Sequence, residues 1–236
     1  IVAGHHLLDG VTAESLGGLS GLWHLMMQPG PVPQIQAFVL YPAVPWLGIM
    51  CLGYGAAPFY AAGDRRKLLL MAASLIGLFL VLRLPNLYGN STAWHVPTNP
   101  ALTPLAILDV SKYPPSLDYV LITLGISTLL CVGLQVLPTP LKRPLLAFGR
   151  TPLLTYLCHL FVAHGLAVII GFFFKIPVSD WIGTLSDSSR LIKDGWGLPL
   201  WAVYAVWLTT LVILYPLSSA YARYRATHSH WWQSYL

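Results

Sequence analysis

PLLTYLCHLFVAHGLAVIIGFFF, Pro152 to Phe174, runs for 23 residues without a Lys, Arg, Asp or Glu. At about 1.5 Å per residue it reaches about 35 Å, enough to cross a hydrocarbon core of about 30 Å. Four further runs read the same way: Ala37–Ala62, Lys67–Leu84, Leu117–Val136 and Leu198–Ala222. Ile1–Leu8, before Gly10, reads as the end of a sixth helix already under way. The fold class read from this pattern is an all-α, polytopic transmembrane helical bundle of five full spans plus that end, forming one integral membrane domain over residues 1–236.

Composition agrees. Of the 236 residues, 56% are hydrophobic and 9% charged, where a soluble domain carries about 25% charged residues. Too few charges exist to cover a water-soluble globule, and the segments are too apolar for disorder. With 13 Lys and Arg against 8 Asp and Glu, the basic excess is too small for tracking nucleic-acid phosphates. Cys51, Cys131 and Cys158 each lie in an apolar run without ligand spacing, so no metal site is read.

The basic residues alternate by side. Arg65, Arg66, Lys67, Lys142, Arg143, Arg150, Arg223 and Arg225 fall on one face, and Arg83, Lys112, Lys175, Arg190 and Lys193 on the other. The positive-inside rule makes the richer face, and with it the C-terminus, cytoplasmic. The stretches of about 11–36, 85–116 and 175–197 are then long external loops. They hold Trp23, Trp94, Trp181 and Trp196, residues that also suit a membrane–water interface. Pro42, Pro45 and Pro58 are expected to interrupt the first full span.

Several clusters carry chemistry. His5, His6 and Asp9 lie three or four apart, the spacing at which a carboxylate orients a histidine as a general base; a polar helix end explains them equally. Arg83, Asn86 and Tyr88 either line an external cleft or, for Arg83, snorkel. Asn90-Ser91-Thr92 is a glycosylation sequon. Lys112 and Tyr113 precede Pro114, Pro115 and Ser116, an expected N-cap, beside a helix start that attracts anions. Lys142, Arg143 and Arg150 form a basic cluster that enforces topology or holds cofactor phosphates. Tyr156 and His159 share a helix face at i,i+3, and His164 lies near the midplane.

In series, GHHLLD at Gly4–Asp9, Tyr41-Pro42 through Pro45-Trp46-Leu47-Gly48, Leu82-Arg83 through Asn86-Leu87-Tyr88-Gly89, Lys112-Tyr113-Pro114-Pro115-Ser116-Leu117 and Gly149-Arg150-Thr151-Pro152 through His159 resemble bacterial membrane proteins with the heparan-alpha-glucosaminide N-acetyltransferase-type domain. His6 stands where relatives usually have Asn. The resemblance implies a transmembrane acyltransferase of the bacterial inner membrane. It would move an acetyl or acyl group from cytoplasmic acetyl-CoA or another acyl-CoA to an extracytoplasmic amine or hydroxyl of a small molecule or glycan. His5, His6, Asp9 and His159 would be catalytic. Lys142, Arg143, Arg150 and Tyr156 would bind the cofactor. Arg83, Asn86, Tyr88, Lys112 and Tyr113 would bind substrate. The resemblance also implies that earlier helices, carrying the principal catalytic histidine, precede Ile1, so that this polypeptide alone would be inactive. Expected partners are the bilayer and the acceptor, without nucleic acid and with self-association open. A transporter or channel, and a non-catalytic membrane subunit, are the rival classes.

Overall fold

Ser116 precedes the helix Leu117–Val136. Its Oγ accepts the Tyr119 amide at 3.0 Å, the N-cap expected of a serine at a helix start. A computed structural model describes residues 1–176, 197–228 and 230–234, arranged as two units, Ile1–Val136 and Leu137–Leu236. The expected third loop lies almost wholly outside the described residues, with Trp181, Arg190, Lys193 and Trp196.

The first unit contains α1 (Ser20–Met26), strands β1 (Gly30–Val32) and β2 (Ala37–Val39), and helices α2 (Ala43–Ala62), α3 (Arg65–Arg83), α4 (Thr103–Leu108) and α5 (Leu117–Val136). The described residues are mostly helical, as expected, with these two short strands beside the helices. They pair antiparallel with Pro31 opposite Phe38. Residues 37–39, read as the start of a span, are extended because Pro42, at φ −63° and ψ 137°, holds the chain out of helix until Ala43. Pro45 falls in the first turn of α2, which needs no amide there, so Pro58 alone is an interior proline of that helix. Gly30 is required by contact: a Cβ there would lie 2.1 Å from the His24 ring.

Helices α3 and α5 make the core of this unit. Leu68, Ala72, Phe79 and Arg83 are buried along one stripe of α3, and Asp118, Leu121, Ile122, Gly125, Thr128 and Val132 along one stripe of α5. Phe79, Leu121 and Ile122 form the central cluster. Asp64 caps α3, its Oδ1 accepting the Arg66 and Lys67 amides at 3.0 and 3.2 Å. Thr128 donates to Leu124 O at 2.7 Å and therefore accepts from Tyr60 Oη at 2.6 Å, which ties α2 to α5.

Gly125 marks the closest approach, since a Cβ built there falls 2.6 Å from Ile76 Cγ1. Gly125→Ala is expected to lower thermal stability by about 1–3 kcal/mol through overpacking. Ile76→Ala in the same chain is expected to return part of that loss. Thermal unfolding in detergent reads both, and no recovery in the double variant would refute the contact.

The second unit contains α6 (Thr139–Arg150), α7 (Pro152–Phe173) and α8 (Leu200–Thr227). The basic cluster of Lys142, Arg143 and Arg150 lies on α6. The element is an amphipathic helix of 12 residues, of the kind that lies along a membrane surface. Thr210, Leu214 and Ser218 are buried along one face of α8, and Thr155 Oγ1 meets Ser218 Oγ at 3.0 Å between α7 and α8. Arg225 Nη1 donates to the Arg150 carbonyl at 2.8 Å.

Among the described residues three helices, α5, α7 and α8, are long and apolar enough to cross a membrane, which marks an integral membrane protein. Helices α2 and α3 have 20 and 19 residues but fall short of that composition; α3 opens on Arg65, Arg66 and Lys67. Gly4–Leu8 is a 3₁₀ helix rather than α-helical turns.

Candidate functional site

The 3₁₀ geometry decides the first cluster. With three residues per turn, side chains at i and i+3 eclipse. His6 Nδ1 accordingly lies 2.8 Å from Asp9 Oδ2. On the other side of the ring, Nε2 lies 3.0 Å from the Leu117 amide. A backbone N–H only donates, so Nε2 is the acceptor and Nδ1 carries the proton given to Asp9. The imidazole is thus fixed at both nitrogens, its acceptor nitrogen at the start of α5. His5 lies tilted against His6 at 4.2 Å between centroids, and Tyr88 meets His6 edge-on at 5.7 Å. Tyr88 Oη donates to Ala3 O at 2.5 Å, anchoring the segment. His5 is 6% exposed and its Nε2 has no hydrogen-bond partner among the described residues; burial, and then His6, hold its pKa below 6.5.

His6 and Asp9 open into a pocket of about 230 Å³ shared with Gln28, Ser91 and Ser111. These three were not read as site residues. Ser111 stands beside the quoted Lys112-Tyr113 motif, whereas Gln28 and Ser91 carry no local signal. Pro114 also lines the pocket, so the first proline of the pair both precedes α5 and walls the site.

Arg83 is placed otherwise than in an open cleft. It is 3% exposed. Its Nε donates to Ile107 O at 3.1 Å, Nη1 to Thr92 O at 2.8 Å, and Nη2 to Asp109 O at 2.6 Å and Ala106 O at 3.5 Å. Its charge therefore sits at the carbonyl end of α4, where the helix dipole favours a cation. The asparagines serve the same loop. Asn86 Nδ2 donates to Trp94 O and its Oδ1 accepts Trp94 N at 3.0 Å. Trp94 Nε1 closes the end of α3 by donating to Arg83 O and Leu84 O. Asn90 Oδ1 accepts the Ser111 amide at 2.8 Å and Nδ2 donates to Thr92 O, so the sequon asparagine is bonded into the loop.

Lys112 and Tyr113 belong to a separate aromatic group. Tyr113 Oη lies 3.2 Å from Tyr41 Oη, Tyr41 packs against Trp46, and Lys112 Nζ lies 5.1 Å from the Tyr113 ring centre. The hydrogen bond with Tyr41 and then Lys112 hold the Tyr113 phenol below its usual range.

In the second unit Arg143 and Arg150 line a pocket of about 390 Å³ with Tyr215, Ser219 and Arg223. Arg223, Tyr215 and Ser219 complete what the sequence showed in part; Arg223 donates to Ser219 Oγ at 2.8 Å. Lys142 is not among the residues lining it. Tyr156 is 58% exposed, with its ring 5.2 Å from that of His159, whose Nδ1 bonds the Tyr156 carbonyl. His164 is exposed.

Among the described residues no three His, Cys, Asp or Glu side chains gather as metal ligands. No family model, curated protein or solved structure matches the chain.

Proposed function

We propose that the chain is part of an integral-membrane acyltransferase that passes an acyl group from cytoplasmic acyl-CoA to an extracytoplasmic amine or hydroxyl, on a small molecule or a glycan. In this reading α2 and α3 also cross the bilayer, the membrane is a bacterial inner membrane, and the C-terminus is cytoplasmic. The observation that carries the proposal is the His6–Asp9 pair in a polar pocket, its tautomer fixed with Nε2 as acceptor.

Acyl transfer needs a base for the acceptor's proton. An acceptor N–H or O–H replaces the Leu117 amide at His6 Nε2 and gives up its proton there as its lone pair attacks the thioester carbon. A C–N or C–O bond forms and the C–S bond breaks. The departing CoA thiolate takes a proton from water, and the imidazolium releases its own to water. Asp9 stabilises that cation. Gln28, Ser91 and Ser111 offer hydrogen bonds to a polar acceptor, while Arg143, Arg150 and Arg223 hold CoA phosphates. Arg83, Asn86 and Asn90 position the loop around the pocket, and Tyr156 and His159 receive no role.

Titration calorimetry of the detergent-purified protein with acetyl-CoA tests the donor half. Arg143→Gln with Arg150→Gln and Arg223→Gln is expected to weaken binding by about 10²- to 10³-fold, at roughly 1–1.5 kcal/mol per lost phosphate contact. Undiminished affinity would refute the assignment. Transfer of labelled acetyl to an amine acceptor separates an enzyme from a transporter or a non-catalytic subunit.

A further inference from the structure

On the first unit, Leu69, Leu70, Ala73, Gly77 and Leu80 of α3 are all exposed. Steps of three and four place them on one stripe, running back to Arg65 and Arg66 in the first turn. With Ile76 and with Leu129 of α5 they line a groove of about 840 Å³. Gly77 deepens it, having nothing within 4 Å of where a Cβ would stand. Every lining residue is apolar except the two arginines at one end. Neither guanidinium has an ion-pair partner among the described residues; Asp64, the nearest acid in sequence, lies 3.7 Å from Lys67 Nζ instead. The groove is therefore a hydrocarbon track with a doubly cationic mouth.

We propose that this groove is a binding site for an anionic phospholipid, whose phosphate sits on Arg65 and Arg66 and whose acyl chain lies along the Leu69–Leu80 stripe. This rests on the reading that α3 crosses the bilayer: from Arg65 to Leu80 a helix rises about 22 Å, more than the roughly 15 Å of one leaflet's hydrocarbon, so one chain of that leaflet fits along the stripe with its headgroup at the arginines. A second copy of the chain suits the surface less well. A two-fold axis along the membrane normal would bring four guanidinium groups to one level with no acid among the lining residues to separate them.

The test is native mass spectrometry of the detergent-purified chain titrated with phosphatidylglycerol or phosphatidylcholine of the same acyl composition. Phosphatidylglycerol is expected to bind more tightly, and Arg65→Gln with Arg66→Gln to weaken it about 30-fold while leaving phosphatidylcholine unchanged, at a factor of about five per basic residue. Gly77→Leu, which meets open space and so leaves the fold intact, is expected to weaken both lipids by filling the track. Equal binding of the two lipids, or full retention in the arginine variant, would overturn the proposal. Displacement of phosphatidylglycerol by palmitoyl-CoA through Arg65 and Arg66 would overturn the choice of a lipid and make the groove a donor site. A Gly77→Leu chain whose mass shifts from dimer to monomer with lipid binding unaltered would overturn it in favour of self-association.

Discussion

Arg83→Met is expected to be the most damaging single change in the first unit, costing roughly 3 kcal/mol or more. The substitution keeps the side chain's bulk but removes donors that reach four carbonyls, those of Thr92, Ala106, Ile107 and Asp109. A buried acceptor left without a donor costs about 1–3 kcal/mol. Arg83→Lys is expected to recover only part of the loss, because one ammonium on a flexible stem cannot span carbonyls that the guanidinium reaches in different directions. Limited trypsin digestion offers a local readout beside thermal unfolding. Lys112 is the only trypsin site in the stretch 85–116, and cleavage after it is expected to become rapid in Arg83→Met. A digestion rate and melting temperature equal to the parent's would show that the carbonyls find other partners.

His6 variants are expected to give the largest effect on transfer. His6→Gln should cut labelled-acetyl transfer by about 10²- to 10⁴-fold, the range assigned to general-base catalysis. A glutamine carbonyl can still accept from the Leu117 amide, so hydrogen exchange at Leu117 should stay slow and the fold intact. His6→Ala should lose both transfer and that protection. Asp9→Asn should lower the rate less, since it removes the group that orients the ring but not the ring itself. Undiminished transfer in His6→Gln would remove His6 from the chemistry and end the acyltransferase reading of this pocket.

What the sequence disclosed depended on how local each signal was. The starts of α5 and α7 were legible because Ser116 and Pro152 punctuate them, and their interiors because long uncharged runs have few other uses. The His6–Asp9 contact was legible from spacing alone. The hairpin was hidden because Ala37–Val39 continues without a charge into α2; the cue was Tyr41-Pro42, a dipeptide that disfavours helix before the proline. Helix α6 was hidden by Pro144 and by its basic residues, although Leu141, Leu145 and Phe148 recur at helical spacing. Arg83 could not be placed from sequence, because its partners lie 9 to 26 residues away and are main-chain carbonyls without a residue-type signature. The bond from Leu117 to His6, across 111 residues, is a product of tertiary folding.

The ties between α8 and its neighbours bear on how this part of the chain meets bilayers of different thickness. Thr155 with Ser218, and Arg225 with the Arg150 carbonyl, set the longitudinal register of α8 against α7 and α6. A slide by one turn, about 5.4 Å, would break both bonds and carry Leu214 out of its buried position. Hydrophobic mismatch of a few ångströms costs only fractions of a kcal/mol per ångström. A thinner or thicker membrane is therefore accommodated by tilting α7 and α8 together, with their relative height preserved.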